Sequence, residues 1–193
     1  MFPVASAPIS PSLTAARNYV QNVASNVAST EAAQLKKKAK GKGTSYDPKK
    51  PKQLTIFVAR NYPSWQEKYI DLVREAFDGV TLSLNEKELN GKVAKMGEMK
   101  KAMPFVQSLK KRLAVENPET VFERKLAFDE VQTLKEIVPT LQRMTGCKNV
   151  AVVVVEEGGK TGKDLDGGIV ENLPLLAEGA DPGNPRFEFT NIA

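Results

Sequence analysis

Six consecutive apolar residues, Val150-Ala151-Val152-Val153-Val154-Val155, constrain this chain more than any other feature. Five are valines, whose branched Cβ favours extended backbone, and the run is too short for an ordinary helix. With no polar alternate it reads as a strand covered on both faces. Leu54-Thr55-Ile56-Phe57-Val58-Ala59 is a second run of this kind and reads as a central strand. Strands buried on both sides need helices to cover them.

Helical periodicity supplies those helices. Ala16, Val20, Val23 and Val27 form one apolar stripe on an arm that starts after Pro11, with Ser12 as its expected N-cap, and runs from Leu13 into a lysine run. Such a stripe must dock on the following domain, self-associate, or belong to a missing bundle. Ser64 with Glu67 predicts a capping box for a helix carrying Trp65, Tyr69, Leu72, Val73, Ala76 and Phe77. Trp65 could stack on a base, but its phase with Leu72 and Ala76 makes it core. Asn85 with Glu88 caps a further helix, after which Gly97 and Pro104 break the chain into pieces. Val121 to Phe128 reads as a strand. Asp129 with Gln132 caps a helix kinked at Pro139 and ended by Gly146. After Glu156 glycine and proline dominate, and regular structure thins to a short strand around Phe187 to Phe189. The fold class is α/β: a small two-layer domain, helices packed on a small mixed sheet, preceded by a helical arm and a lysine-rich linker. The expected bounds are 1–35 for the arm, 36–53 for the linker, 54–157 for the α/β domain and 158–193 for the tail.

The linker carries Lys36, Lys37, Lys38, Lys40, Lys42, Lys49, Lys50 and Lys52 against one acid, Asp47. Gly41, Gly43, Pro48 and Pro51 deny it a regular helix or strand, so these lysines are expected on a solvated strap. Charge is polarised along the chain: 1–35 is neutral, 36–52 carries +7, 53–113 carries +4 and 114–193 carries −6. A polyanion meeting one face fits that division better than a uniform coating does. The plain alternative is a solvated linker with no ligand.

Several chemistries are excluded. There is no histidine, which removes Ser–His and Cys–His catalysis and the commonest zinc ligand. Cys147 is the only cysteine, so no internal disulfide forms, a reducing compartment is expected, and its place between helix and strand suits a buried thiol. No apolar run reaches membrane-spanning length. Gly158-Gly159-Lys160-Thr161-Gly162-Lys163 follows a strand but lacks the first glycine that a phosphate loop needs upstream of its Gly-Lys pair, where the valine run stands, so a hairpin or loop is expected. Asp164 and Asp166 in a glycine-rich loop are expected to be solvated rather than to hold a cation. Glu156 and Glu157 should face opposite ways and make poor acid–base partners.

The segments LKKKAKGKG, PKKPKQLTIFVARNYPSWQEKYIDLVREAF and MGEMKKAMPFVQSLKKRLAVENPETVFERKLAFDE, with KTGKDLDGG and PGNPRFEFTNI near the end, resemble the C-terminal end of cytosolic leucyl-tRNA synthetases of the fungal type. The likeness runs from about Leu13 to Ala193. It implies that the arm is the last piece of a helical anticodon-binding-type domain and that the rest helps hold leucine tRNA. The family's ATP signature motifs, catalytic fold and editing domain lie upstream and are not in this chain. The resemblance therefore implies a fragment, a truncated copy or a gene model begun at an internal methionine, with no catalytic residue, no metal site and no cofactor of its own. ATP and magnesium would serve the parent enzyme, which attaches leucine to its tRNA in the cytoplasm.

Two functions follow as expectations. In the first, Lys36, Lys37, Lys38, Lys40, Lys42, Lys49, Lys50 and Lys52, helped by Lys100, Lys101, Lys110, Lys111 and Arg112, contact phosphates of leucine tRNA, and tRNA shape provides specificity. In the alternative, the apolar arm and the acidic second half dock the upstream synthetase domains or other proteins, and the lysines are only a tether. Neither involves a membrane.

Overall fold

The computed structural model describes residues 10–41, 46–79, 81, 83–97, 99–114, 117–124 and 126–192. In chain order the elements are α1 (Pro11–Ala39), β1 (Lys52–Ala59), α2 (Ser64–Ala76), β2 (Phe77–Asp78), β3 (Ser83–Leu84), α3 (Glu86–Lys95), α4 (Met99–Leu113), α5 (Pro118–Glu123), α6 (Glu130–Thr145), β4 (Asn149–Val155), β5 (Thr161–Asp164), β6 (Ile169–Glu171), a 3-10 turn (Leu175–Gly179) and β7 (Arg186–Asn191). They divide into two compact units. Unit 1 holds Met1–Asn61 with Leu126–Ala193, and unit 2 is Tyr62–Lys125, inserted between β1 and α6.

Unit 1 is built on a five-stranded mixed sheet in the order β6-β5-β4-β1-β7. The two apolar runs pair in parallel, Leu54 opposite Val150 and Val58 opposite Val154. Alternation decides what each face meets. Leu54, Ile56, Val58, Val150 and Val152 join a core with Tyr19, Val23 and Val27 of α1 and Leu134 and Leu141 of α6, whereas Phe57 and Val153 meet Ala177 and Ala180 on the other face. The α/β class is as expected, with helices laid on a small mixed sheet. The arm also takes the first of its three options: it docks on its own domain, with Tyr19 buried where the apolar stripe pointed to Val20.

A buried carboxylate fastens that docking. The Tyr19 hydroxyl donates to Glu130 Oε1 at 2.6 Å, and the Gly183 N–H donates to Glu130 Oε2 at 2.9 Å. Glu130 sits in the first turn of α6, where the helix dipole favours an anion. Burial nonetheless raises its pKa above the ordinary carboxylate value, outweighing the two hydrogen bonds, and burial likewise raises that of the Tyr19 hydroxyl.

Unit 2 packs four helices around Tyr69, Ile70, Val73, Leu89, Val93, Ala102, Val106, Leu109 and Val121. Trp65 is core, edge-on to Tyr69 and Phe105 with centroids 6.0 and 5.5 Å away. Near the unit's two chain ends, the Arg124 guanidinium lies 3.6 Å from the centroid of the Tyr62 ring and donates to the side-chain oxygen of buried Gln66. Arg124 takes the left-handed conformation, φ 56°, as the C-cap of α5.

Several local expectations give way. The expected strand from Val121 to Phe128 does not form: Pro118–Glu123 is helical and residues 126–128 are not extended into a strand. Asn117 accepting from the Glu119 N–H, with Pro118 in the first turn, is a start signal that outweighs a loose alternation. The α1 N-cap position is Ser10, with Pro11 at N1, and the Ser10 hydroxyl pairs with that of Ser12 at 2.7 Å. Pro63 occupies the N-cap position of α2, so Ser64 makes no capping box. Pro104 lies inside a continuous α4, on the exposed face where water can reach the carbonyl left without a partner. The caps at Asn85 and Asp129 form, and Gly146 ends α6 at φ 67°. Beyond Glu156 structure does not thin: β5, β6 and β7 belong to the main sheet, and Gly158 to Lys163 form the expected hairpin with β4.

Candidate nucleic-acid interface

The lysine stretch is not one strap. Lysine is a good helix former, and cations in a last turn complement the helix dipole. Accordingly α1 runs through Lys36, Lys37 and Lys38 to Ala39, with Lys40 as C-cap and Gly41 at φ 67° after it. Lys52 opens β1. Lys42 lies outside the described residues.

Glu31, the only acid in α1, organises the return of the chain. Its Oε1 accepts from the Tyr46 hydroxyl at 2.5 Å and from Lys52 Nζ at 2.6 Å, while Lys38 Nζ donates to the Tyr46 carbonyl at 2.9 Å. Tyr46 is buried against Phe189, and burial together with the Glu31 bond raises its hydroxyl pKa. Asp47 then builds the turn: its Oδ1 accepts from the Lys49 N–H at 3.0 Å, and its carbonyl accepts from the Lys50 N–H at 3.2 Å. Asn191 of β7 holds that turn by accepting from the Asp47 N–H at 2.7 Å and donating to the Asp47 carbonyl at 2.8 Å.

These bonds sort the lysines. The ammonium groups of Lys38 and Lys52 are both engaged by protein groups; Lys38 stays exposed, whereas the Lys52 side chain is only 14% exposed. Lys36, Lys37, Lys40, Lys49 and Lys50 are exposed, at the end of α1 and on the turn pinned beside it. Lys100, Lys101, Lys110, Lys111 and Arg112 all belong to α4 in unit 2. Lys100 and Lys111 are exposed and Arg112 is half-buried, while the Lys101 side chain lies outside what is described. The thirteen expected contact residues therefore fall on two units. Sequence reasoning missed Glu31; the signal was an isolated carboxylate in a 29-residue helix otherwise without acids.

Other candidate chemistry resolves structurally. Asp164 Oδ1 accepts from the Asp166 N–H at 3.0 Å and the Gly168 N–H at 2.7 Å, making the turn between β5 and β6. Glu156 pairs with Lys163 at 3.1 Å, which lowers its pKa. Cys147 is buried, and burial raises its thiol pKa. Among the described residues no cluster of acidic, cysteine or histidine side chains could hold a metal ion, and no helix is long and apolar enough to cross a membrane.

Comparison with known proteins supports the resemblance. A family model described as "Leucine--tRNA ligase, RagD-binding domain" matches residues 58–126, nearly the bounds of unit 2. The chain is 56% identical over 187 residues to the cytoplasmic leucine–tRNA ligase of Neurospora crassa, covering 94% of this chain and 17% of that protein. It is 38% identical over 197 residues to the cytoplasmic enzyme of Saccharomyces cerevisiae, covering 99% of this chain and 18% of the relative. The cytoplasmic leucine–tRNA ligase of Pongo abelii is 34% identical over 125 residues, 62% of this chain and 10% of that protein. Over nearly all of its length this chain is therefore related to one segment of the fungal cytoplasmic leucine–tRNA ligases, a segment amounting to less than a fifth of those proteins.

Proposed function

We propose that unit 1 is a tRNA-binding part of a cytoplasmic leucine–tRNA ligase, with Lys36, Lys37, Lys40, Lys49 and Lys50 contacting phosphates of leucine tRNA. The observation that carries this reading is that five exposed ammonium groups stand on two segments stapled together through Glu31, Tyr46, Asp47 and Asn191. Ordering those segments beforehand lowers the entropic cost of binding a polyanion. Phosphate contacts set register and affinity, and the shape of the tRNA supplies selectivity. The lysines on α1 also complement the helix dipole, but that role leaves Lys49 and Lys50 unexplained. Activation of leucine with ATP and magnesium belongs to the whole enzyme, and the isolated chain is expected to show no leucine-dependent pyrophosphate exchange.

Titration with leucine tRNA and an unrelated tRNA across a salt series tests this. Five phosphate contacts predict a log–log slope on the order of −4, with leucine tRNA preferred. Charge reversal at Lys36, Lys37, Lys49 and Lys50 should flatten the slope and remove binding while the fold survives. A salt-independent affinity sinks the proposal.

A second reading concerns unit 2. The family model named for RagD binding falls on this unit, which favours a protein-docking role there. It does not extend to the apolar arm, whose Tyr19, Val23 and Val27 are buried in unit 1.

A further inference from the structure

We infer that the outward stripe of α4 is a docking groove for an acidic, amphipathic segment of a partner protein. The inference rests on the reading of unit 2 as a docking unit and names its surface and the chemistry it accepts.

α4 carries Lys100, Lys101, Lys110, Lys111 and Arg112 and not one acid. Its inward face is Ala102, Val106 and Leu109, all buried. Helical spacing then brings Lys100, Pro104, Gln107, Ser108 and Lys111 onto the opposite face, and all five are exposed. An open groove of about 550 Å3 lies along it, lined by Pro104, Gln107, Ser108, Lys111 and Arg112.

Cations in the last turn of a helix need no functional explanation, since the dipole favours them there. Lys100 and Lys101 are different. They occupy the first turn, where the dipole opposes a positive charge, and that turn itself contains no acidic residue. A local rule broken in this way marks a site rather than a scaffold. The two charged ends of the stripe are about 16 Å apart along the helix axis.

Between those ends the stripe itself is uncharged, running through Pro104, Gln107 and Ser108, which line the groove with Lys111 and Arg112 at one end. The Pro104 ring and the aliphatic stems of Lys111 and Arg112 give an apolar wall, and the small Ser108 side chain leaves room above it. A phosphodiester backbone gains nothing from that wall. A peptide with carboxylates at its ends and an apolar side chain at its middle matches both features. Charge complementarity and the apolar centre together favour protein over RNA.

The test uses the full 193-residue chain and a fluorescent 12-residue glutamate-rich peptide with central leucines, beside the same peptide with serine for leucine. The leucine peptide should bind, and the serine peptide at least fivefold more weakly. Lys100→Glu with Lys111→Glu should weaken leucine-peptide binding at least tenfold while tRNA affinity changes less than twofold. Ser108→Trp, which fills the groove without altering charge, should produce the same loss and covers the case in which double charge reversal unfolds unit 2. Equal binding of the two peptides, or insensitivity to both variants, overturns the inference. An equal loss of tRNA binding also overturns it and makes the groove a phosphate track. Purified RagD separates the two levels. If it binds the chain and both variants alike, α4 is not the docking face while unit 2 remains a docking unit. If it does not bind the unaltered chain but the peptide pattern holds, the docking assignment by name falls and the chemistry of the groove stands.

Discussion

The side-chain amide of Gln34 closes on the main chain of Phe189 as a strand would, its Oε1 accepting from the Phe189 N–H at 2.9 Å and its Nε2 donating to the Phe189 carbonyl at 3.2 Å. Phe189 lies on β7, the outermost strand on that side of the sheet. An open edge offers unpaired donors and acceptors to other chains. One glutamine on α1 therefore satisfies a strand residue and blocks the edge together.

Gln34→Ala should remove both functions. Leaving the two Phe189 main-chain groups without their partner predicts a loss of about 1–3 kcal/mol, read from the urea midpoint. Sedimentation velocity should show more concentration-dependent association for the variant than for the unaltered chain. A variant as stable and as monodisperse as the parent would show that water replaces the amide at no cost.

Glu130 predicts a specific pH dependence. Burial holds its folded pKa above the unfolded value near 4.5, so folding favours the protonated form. The stability this contributes is complete below about pH 4.5 and is lost as pH rises through the raised folded pKa. Glu188, also raised by burial, acts in the same direction. Relative to Glu130→Gln, the unaltered chain should therefore have its greatest advantage at acid pH, an advantage that shrinks as pH rises. Urea unfolding of both chains at several pH values measures the difference; a difference independent of pH refutes the assignment.

Arg124→Ala should loosen unit 2 alone. The substitution removes the stacking on Tyr62, leaves the buried Gln66 oxygen without this donor, and keeps a non-glycine residue at φ 56°. The expected cost is about 2–3 kcal/mol. Hydrogen exchange should accelerate in α2, α4 and α5 while β1 and β4 keep their protection. Equal acceleration in both units would mean that they unfold together.

Much of the frame was legible because it depends on short-range rules. Val150 to Val155 and Leu54 to Ala59 declare buried strands by composition alone, and Asn85, Asp129 and Gly146 declare helix ends by local hydrogen bonding. What escaped depends on partners far away in the sequence. β5 and β6 are short, glycine-containing segments that become strands only because β4 is beside them. The apolar stripe of α1 left three destinations open, and the choice depends on Glu130 and Gly183, more than a hundred residues later. The lysines looked like one solvated field because nothing local reveals that Glu31 engages Lys52 or that Tyr46 engages Lys38. The expected strand from Val121 fails for the opposite reason: the local start signal Asn117-Pro118 is decisive and outweighs the weak alternation that follows it.

The place of unit 2 between β1 and β4 bears on how such a chain tolerates change. The insertion lengthens the connection between two strands that pair in parallel at the centre of unit 1 by three- to fourfold. Closure entropy grows only with the logarithm of loop length, so this burdens the host sheet by about 1 kcal/mol. With Tyr62 and Arg124 in contact at its own base, the inserted segment behaves as a cartridge. On closure entropy alone, a further change in the length of that segment costs the host sheet little.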